Sequence, residues 1–362
     1  MIRSLASGLY GGVVEARRKL YSAGLVPVRR ANVPVVCVGN LSVGGTGKTP
    51  MVEFLARMMP AWGLWPGIVS RGYKRSTPAE QFVLVSDGQE IFVTPAEGGD
   101  EPVLLANMLR GVAVGVCADR ARACGELTDA GLCDSIILDD GFQHLKLHRD
   151  CDIVLVDATV DLSKTRMLPF GTRREPLSAL RRATCVVHTK VPNQAAAVAA
   201  PNDFYQKNKA KVSKIAPWVP QFATRFLPEG LVRIGASDHD DSSPDLDLGD
   251  LPGLRVLAFA GIAKPENFFE TLRGLGCDVI GKSFEDHQSY DYREIARLMD
   301  AATDEGAEAI ITTAKDAVKL LDMKLPSEPP IYMLTQTVQM DEQEAFRELL
   351  TDTLRQATAV TA

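Results

Sequence analysis

The stretch Ser42-Val43-Gly44-Gly45-Thr46-Gly47-Lys48-Thr49 constrains this chain more than any other, because its flanks dictate a strand before it and a helix after it. Val35-Val36-Cys37-Val38-Gly39-Asn40 opens as an apolar β-branched run and reads as a buried strand. From Pro50, the segment Met51-Val52-Glu53-Phe54-Leu55-Ala56-Arg57-Met58 carries apolar residues at helical spacing. Strand, glycine-rich turn and helix is the setting of a phosphate-binding loop. The glycines let successive backbone N–H groups converge on one concavity, and the helix N-terminus adds partial positive charge. Lys48 is expected at the β- and γ-phosphates of a nucleotide, with the Thr49 hydroxyl on Mg2+. The usual pattern opens with glycine, and here Ser42 stands in its place. The alternative is a glycine-rich turn that merely precedes a helix.

Around this loop the chain alternates. Strands are expected at 35–38, 67–70, 81–85, 112–116, 135–138 and 152–156, with helices near 50–61, 102–110 and 118–131. Such alternation implies an α/β fold with a mostly parallel sheet covered on both faces, and sites at the carboxyl ends of its strands. A smaller α/β unit is expected over 181–362, with strands at 184–189, 255–260, 278–281, 309–313 and 331–334. Its helices are placed near 266–275, 291–305 and 340–356, the last free to pack back on the first unit. The Pro- and Arg-rich segment 168–180 reads as a connector that closes the larger unit, 33–180, and also reaches into the site. Residues 236–252 hold six aspartates among Ser, Pro and Gly, and read as a solvated acidic loop.

With 362 residues, 46% hydrophobic, the chain suits two domains with ample core. A net charge of −6 argues against a nucleic-acid binder. Seven cysteines without a C-x-x-C pair form neither a disulfide framework nor a zinc site, and suit a reducing compartment. Charge is uneven, however. Residues 1–32 carry six basic residues against the single acid Glu15, interleaved with Leu5, Leu9, Val13, Leu20 and Leu25. That segment suits either an anionic membrane surface or a helix docked on its own domain. It is too short and too broken by glycine to span a bilayer.

Several strand ends carry chemistry. Asp139-Asp140-Gly141-Phe142-Gln143-His144 follows the apolar run Ile136-Ile137-Leu138, the arrangement in which a strand-end acid holds Mg2+. Asp100, in Gly98-Gly99-Asp100-Glu101-Pro102, suits helix capping and equally suits orienting an acceptor hydroxyl. Arg71, in Ser70-Arg71-Gly72-Tyr73, offers a bidentate fork for phosphate, and Arg173-Arg174 adds guanidinium near the connector. His287, in a polar turn of the second unit, is the histidine best placed to act across a cleft. Each of these also has a plain surface reading.

Together the pieces resemble the tetraacyldisaccharide 4′-kinase family. The resemblance runs through SVGGTGKTP (42–50), SRGY (70–73), GDEP (99–102), DDGFQH (139–144) and PFGTRREPLSALRRA (169–183). It continues through FAGIAKPENFF (259–269), FEDHQSYD (284–291) and TTAKDAVKL (312–320), covering nearly the whole chain. The serine opening of the loop is itself a family trait.

The resemblance implies two α/β/α domains joined by a hinge, with an N-terminal helix resting peripherally on the cytoplasmic face of the inner membrane. It implies transfer of the ATP γ-phosphate to the 4′-hydroxyl of an acylated glucosamine disaccharide 1-phosphate, the lipid A precursor, with no obligate protein partner. Carried over by motif, Asp100 resembles the catalytic carboxylate and His287 its dyad partner, while Glu101, Asp139 and Asp140 resemble metal-site acids. Tyr73, Gln143, His144 and Arg173 match positions near the lipid headgroup or nucleotide. Two departures stand out: Gln288 occupies a position often held by a second histidine, and the 200–250 segment is longer and more acidic than the family pattern. The rival readings are a P-loop kinase or ATPase acting on a soluble small molecule, and a GTP-dependent switch. The switch is disfavoured because neither Thr189-Lys190-Val191-Pro192 nor Ala314-Lys315-Asp316 is an Asn-Lys-x-Asp base signature.

Overall fold

The computed structural model describes residues 2–192, 204–235, 245–286, 288–321 and 323–361. Its strands are β1 (Val35–Asn40), β2 (Pro66–Ser70), β3 (Val83–Ser86), β4 (Val114–Val116), β5 (Ser135–Asp139), β6 (Cys151–Asp157), β7 (Cys185–Thr189), β8 (Gln221–Arg233), β9 (Leu246–Asp247), β10 (Arg255–Ala260), β11 (Asp278–Ser283), β12 (Ala309–Thr313) and β13 (Ile331–Met340). The helices are α1 (Ile2–Ser22), α2 (Lys48–Met58), α3 (Pro95–Gly98), α4 (Asp100–Met108), α5 (Arg120–Asp129), α6 (Tyr205–Ile215), α7 (Pro265–Gly274), α8 (Tyr292–Asp304), α9 (Ala314–Ala317) and α10 (Gln343–Thr361).

The strands lie in the order β11-β10-β12-β13-β8-β7-β6-β1-β5-β2-β4-β3. From β7 to β4 every pairing is parallel, and β3 closes that edge antiparallel. The strands β11, β10, β12 and β13 form a second parallel set. Strand β8 belongs to both. Its first residues pair with β7, and its remainder runs antiparallel to β13 as a ribbon linking the two sets.

Successive residues of one strand feed opposite cores. Val36 and Val38 enter one cluster with α2 and α4, whereas Val35 and Cys37 enter another with α5. The second set repeats the pattern, with Ala258 facing α7 and Leu257 and Phe259 facing α8. Period-two alternation with both faces buried is what parallel strands under two helical layers require. Each buried Leu, Ile or Phe contributes about 1.5–3 kcal/mol.

Three elements differ from the sequence expectation. Strand β7, expected in the smaller unit, pairs along its length with β6, so a boundary at 180/181 falls inside the larger sheet. The Pro–Arg connector does reach the phosphate loop, but it is a crossover between β6 and β7 of one sheet, not a linker between units. Helix α6 and the long β8 were not anticipated. Because β8 changes neighbours midway, no single period marks it, and its burial runs from buried through half-buried to buried again. Helix α10 does pack back on the larger unit, as the sequence allowed: Phe346, Leu350 and Leu354 enter its core, with Phe346 edge-on to Phe222 at 5.2 Å.

Candidate functional site

The phosphate loop leaves β1 at Asn40 and enters α2 at Lys48. Gly44 (φ 114°) and Gly47 (φ 84°) hold left-handed backbone that side chains resist. Ser42 is not in that region, so the consensus glycine is dispensable at its position. The loop is braced from below: the Asn40 amide donates to Thr46 Oγ1 at 2.6 Å and Thr189 Oγ1 donates to the Thr46 carbonyl at 2.8 Å. Lys190 donates both to the Gly45 carbonyl and, at 2.7 Å, to Asp157. The connector braces it from the side, through Val43 N–H to the Thr172 carbonyl at 2.8 Å and an antiparallel bridge between Ser42 and Arg173. Cβ atoms added at Gly44 or Gly45 would meet nothing within 4 Å, so this rim is open to a ligand.

Strand β5 delivers Asp139 and Asp140 beside the loop. The two neighbours are shifted in opposite directions. Asp139 is 2% exposed, accepts from Ser70 Oγ at 3.1 Å, and leaves Oδ1 without a partner among the described residues. Burial, reinforced by the Glu101 charge, pushes its carboxyl up to about 7. Asp140 takes a left-handed backbone (φ 50°), which Asp tolerates better than most residues. Burial disfavours its charge too, but Arg174 grips both oxygens at 2.7 and 2.8 Å and Lys48 stands 3.8 Å away. These cations hold its carboxyl below the ordinary range. Glu101 follows the same logic, with burial outweighed by Lys315 and Lys48.

Asp100 and Glu101 open α4, and here the structure discards the capping explanation for Asp100. The cap position is Gly99 (φ 96°), and Asp100 is the first helical residue. Gly99 and Gly72 lie back to back: a Cβ on Gly99 would come within 3.2 Å of the Gly72 Cα. That contact seats the 70–73 turn, with exposed Arg71 and Tyr73, against the turn that carries Asp100.

The remaining expected residues divide. The Gln143 amide donates at 2.9 Å to the Asn40 carbonyl and at 2.9 Å to Glu175, tying β1 to the connector and leaving only its oxygen uncommitted. His144 is half-buried, and burial with the Arg120 and Arg149 charges pushes its imidazole down to about 4. Arg173 is half-buried with its Nε unpaired among the described residues. His287 lies outside the described residues. Its neighbour Gln288 donates to Glu294 at 3.0 Å, stapling the start of α8, so glutamine has structural work at that position. Of the acidic loop, 236–244 lies outside the described residues. Asp247 and Asp250 cap each other's turn, and Asp245 accepts from Arg233 N–H at 2.6 Å.

Four residues escaped the sequence reading. Arg174 was seen only as extra guanidinium, and Lys190 only as a failed base signature. Arg120, 5% exposed at the start of α5, sits within the fields of Arg71, Asp139 and Asp140. Lys315 reaches from the second strand set to Glu101. The signal available for Lys190 and Lys315 was a lysine one or two residues after a strand. For Arg120 and Arg174 no local signal existed.

A divalent cation fits this chemistry. The orphaned, buried Asp139 Oδ1 costs about 1–3 kcal/mol while unpartnered and would be satisfied by a cation. No group of three or more His, Cys, Asp or Glu side chains forms a cage among the described residues. Mg2+ does not need one, because it takes one or two carboxylates together with phosphate and water oxygens.

Comparison with known proteins identifies the family. The model of the tetraacyldisaccharide-1-P 4′-kinase family matches residues 2–355. The tetraacyldisaccharide 4′-kinase of Geobacter sulfurreducens is 41% identical over 327 residues, 88% of this chain and 84% of that protein. That of Desulfatibacillum aliphaticivorans is 36% identical over 361 residues, covering 97% and 92%. The crystal structure of the "apo" form of LpxK from Aquifex aeolicus in complex with ATP superposes with a TM-score of 0.76 at 31% identity, covering 98% of this chain and all of that one. The chain belongs to the tetraacyldisaccharide-1-P 4′-kinase family.

Proposed function

We propose that this kinase moves the γ-phosphoryl group of ATP onto the 4′-hydroxyl of an acylated glucosamine disaccharide 1-phosphate, at the strand ends bounded by the phosphate loop, Asp100 and Asp139-Asp140. The observation that carries this reading is the convergence of Lys48, Asp139, Asp140 and Glu101 in one electrostatic cluster beside an open glycine rim. Backbone N–H groups of 44–49 and Lys48 cradle the phosphates, and Arg174 favours the ionised form of Asp140. Mg2+, when bound by Thr49 and the acids Asp139, Asp140 and Glu101, neutralises charge that builds on the phosphate oxygens.

Asp100 accepts the proton as the sugar oxygen bonds to phosphorus and the bridging P–O bond of ATP breaks, releasing ADP. His287 orients and tunes that carboxylate from the second unit, so the pair assembles only on closure. Arg71, Tyr73, Gln143, His144 and Arg173 line the approach of the headgroup. His144 enters as a neutral ring, since its imidazole titrates near 4.

Helix α1 supports a place on the membrane surface. One face docks on the connector, with Ser7 Oγ donating to the Met167 carbonyl at 3.0 Å. The opposite face leaves Leu9 72%, Val13 62% and Leu20 46% exposed beside Arg17 and Lys19. An apolar stripe flanked by cations is the profile of a helix lying in an anionic interface. No helix among the described residues is long and apolar enough to cross a membrane.

The test is to incubate the protein with γ-labelled ATP and the disaccharide 1-phosphate in mixed micelles. Label in a new lipid bearing one more phosphate supports the proposal. Label released only as inorganic phosphate, or transferred to a soluble sugar equally well, contradicts it.

A further inference from the structure

We propose that Lys315 is a positioning residue that fastens the second strand set to the phosphate-loop unit through Glu101, and that it competes with the divalent cation for that carboxylate. The proposal rests on the reading of Glu101 as a metal-site acid. The two residues lie 214 positions apart in the chain, yet Lys315 Nζ and Glu101 Oε1 form a half-buried ion pair. Lys315 also lies in the fields of Asp286, which precedes the dyad histidine, and of Asp139. One ammonium thereby faces a metal-site acid on one unit and the histidine-bearing loop on the other.

The turn that carries Lys315 is rigid. Its neighbour Asp316 is wholly buried and accepts from Thr313 Oγ1 at 2.7 Å, Gly261 N–H at 2.9 Å, the Tyr290 hydroxyl at 2.9 Å and Lys319 at 3.1 Å. These bonds lock α9 to the end of β10 and to the loop that ends at Tyr290. Gly261 leaves no room to slip, since a Cβ there would come within 2.8 Å of the Tyr290 hydroxyl. Beneath the ion pair, Val318 is 2% exposed and packs in the same core as Val103 and Leu104 of α4. An apolar contact topped by a charge pair is a docking face between the two units, and the charge half of it is removable without opening a cavity.

Competition follows from valence and place. A carboxylate oxygen that receives the Lys315 ammonium is less available to a cation, and the ammonium repels that cation at a few ångströms. Without metal, Lys315 neutralises Glu101 and holds the units together. With metal and nucleotide, the carboxylate is shared, and the contact passes in part from lysine to the ion.

The test compares full-length wild type, Lys315→Met, Lys315→Arg and Glu101→Gln. Mn2+ binding is followed by the resonance of the free ion, and backbone hydrogen exchange is followed without metal. Lys315→Met should bind Mn2+ about tenfold more tightly. It should also exchange faster in α9 and the first turn of α4, while β10 and β11 stay protected. Lys315→Arg should restore the exchange protection. Unchanged Mn2+ affinity and unchanged exchange in Lys315→Met overturn the proposal, whatever happens to turnover. Faster exchange across β10 and β11 as well would mark general destabilisation and count against a latch. If Glu101→Gln leaves Mn2+ affinity intact, the metal-acid reading falls and takes the competition with it. The exchange data then decide the latch alone.

Discussion

The two strand sets contribute to the site by different physics. In the larger set the phosphate loop is finished by ties from its own sheet and connector: Asn40 to Thr46, Thr189 to Thr46, and Arg174 to Asp140. Those bonds all stay within one strand set and its connector, so the loop is shaped before any ligand arrives. The second set acts by reach, through Lys315 to Glu101 and through the loop that ends at Tyr290. Its contribution depends on how the β8–β13 ribbon holds the units. On the proposed mechanism one region is preorganised and the other conditional, the division that closure on both substrates would use.

The preorganised half should fail locally and completely. Lys48→Ala is expected to lower kcat by about 10²–10³ while leaving the thermal midpoint within a degree or two, because it removes a charge aimed at the transferring group. A variant with near-normal turnover would break the comparison at its stronger side. Next in size is a pH effect inside the same half. His144 titrates near 4 when folded and near its usual 6.5 when unfolded, so the unfolded chain binds more protons between those values. Its contribution is present above about pH 6.5 and lost as pH falls toward 4. Allowing for partial contact with water, that is about 1–2 kcal/mol. His144→Gln should flatten the stability curve across this window. An unchanged curve would show that the ring is not held neutral.

The smallest effect concerns α1, which belongs to neither strand set. Removing residues 1–30 should abolish sedimentation with anionic vesicles. Arg17→Glu alone should weaken it by about 1 kcal/mol per charge step in low salt and less in high salt. Equal sedimentation of the truncated and full-length proteins would assign the membrane contact elsewhere.

Legibility in the sequence follows the same divide. The phosphate loop and Asp139-Asp140 could be read because strand, turn and helix lie together in sequence, and the chemistry sits where the periodicity changes. Asp100 was legible as an acid at a helix start, although its glycine neighbour proved to be the cap. The Arg174 grip on Asp140 was not legible, since it joins residues 34 apart through a crossover whose proline-rich composition imitates a linker. Neither was β8, a strand that serves two sheets and so obeys no single burial pattern. Lys315 was visible inside the TTAKDAVKL motif, yet its partner is set by the packing of α9 on α4, which no local spacing encodes.

The proposed chemistry needs one carboxylate from the preorganised half and one imidazole delivered by the conditional half. The measurement that reaches it most directly is a double-mutant cycle on kcat for Asp100→Ala and His287→Ala, with lipid and ATP both saturating. Residues that act as a unit are non-additive. A working pair should show a large loss for Asp100→Ala, about 10²–10⁴, and little further loss when His287→Ala is added to it. Fully additive losses would contradict the pair and leave the histidine as a separate binding residue.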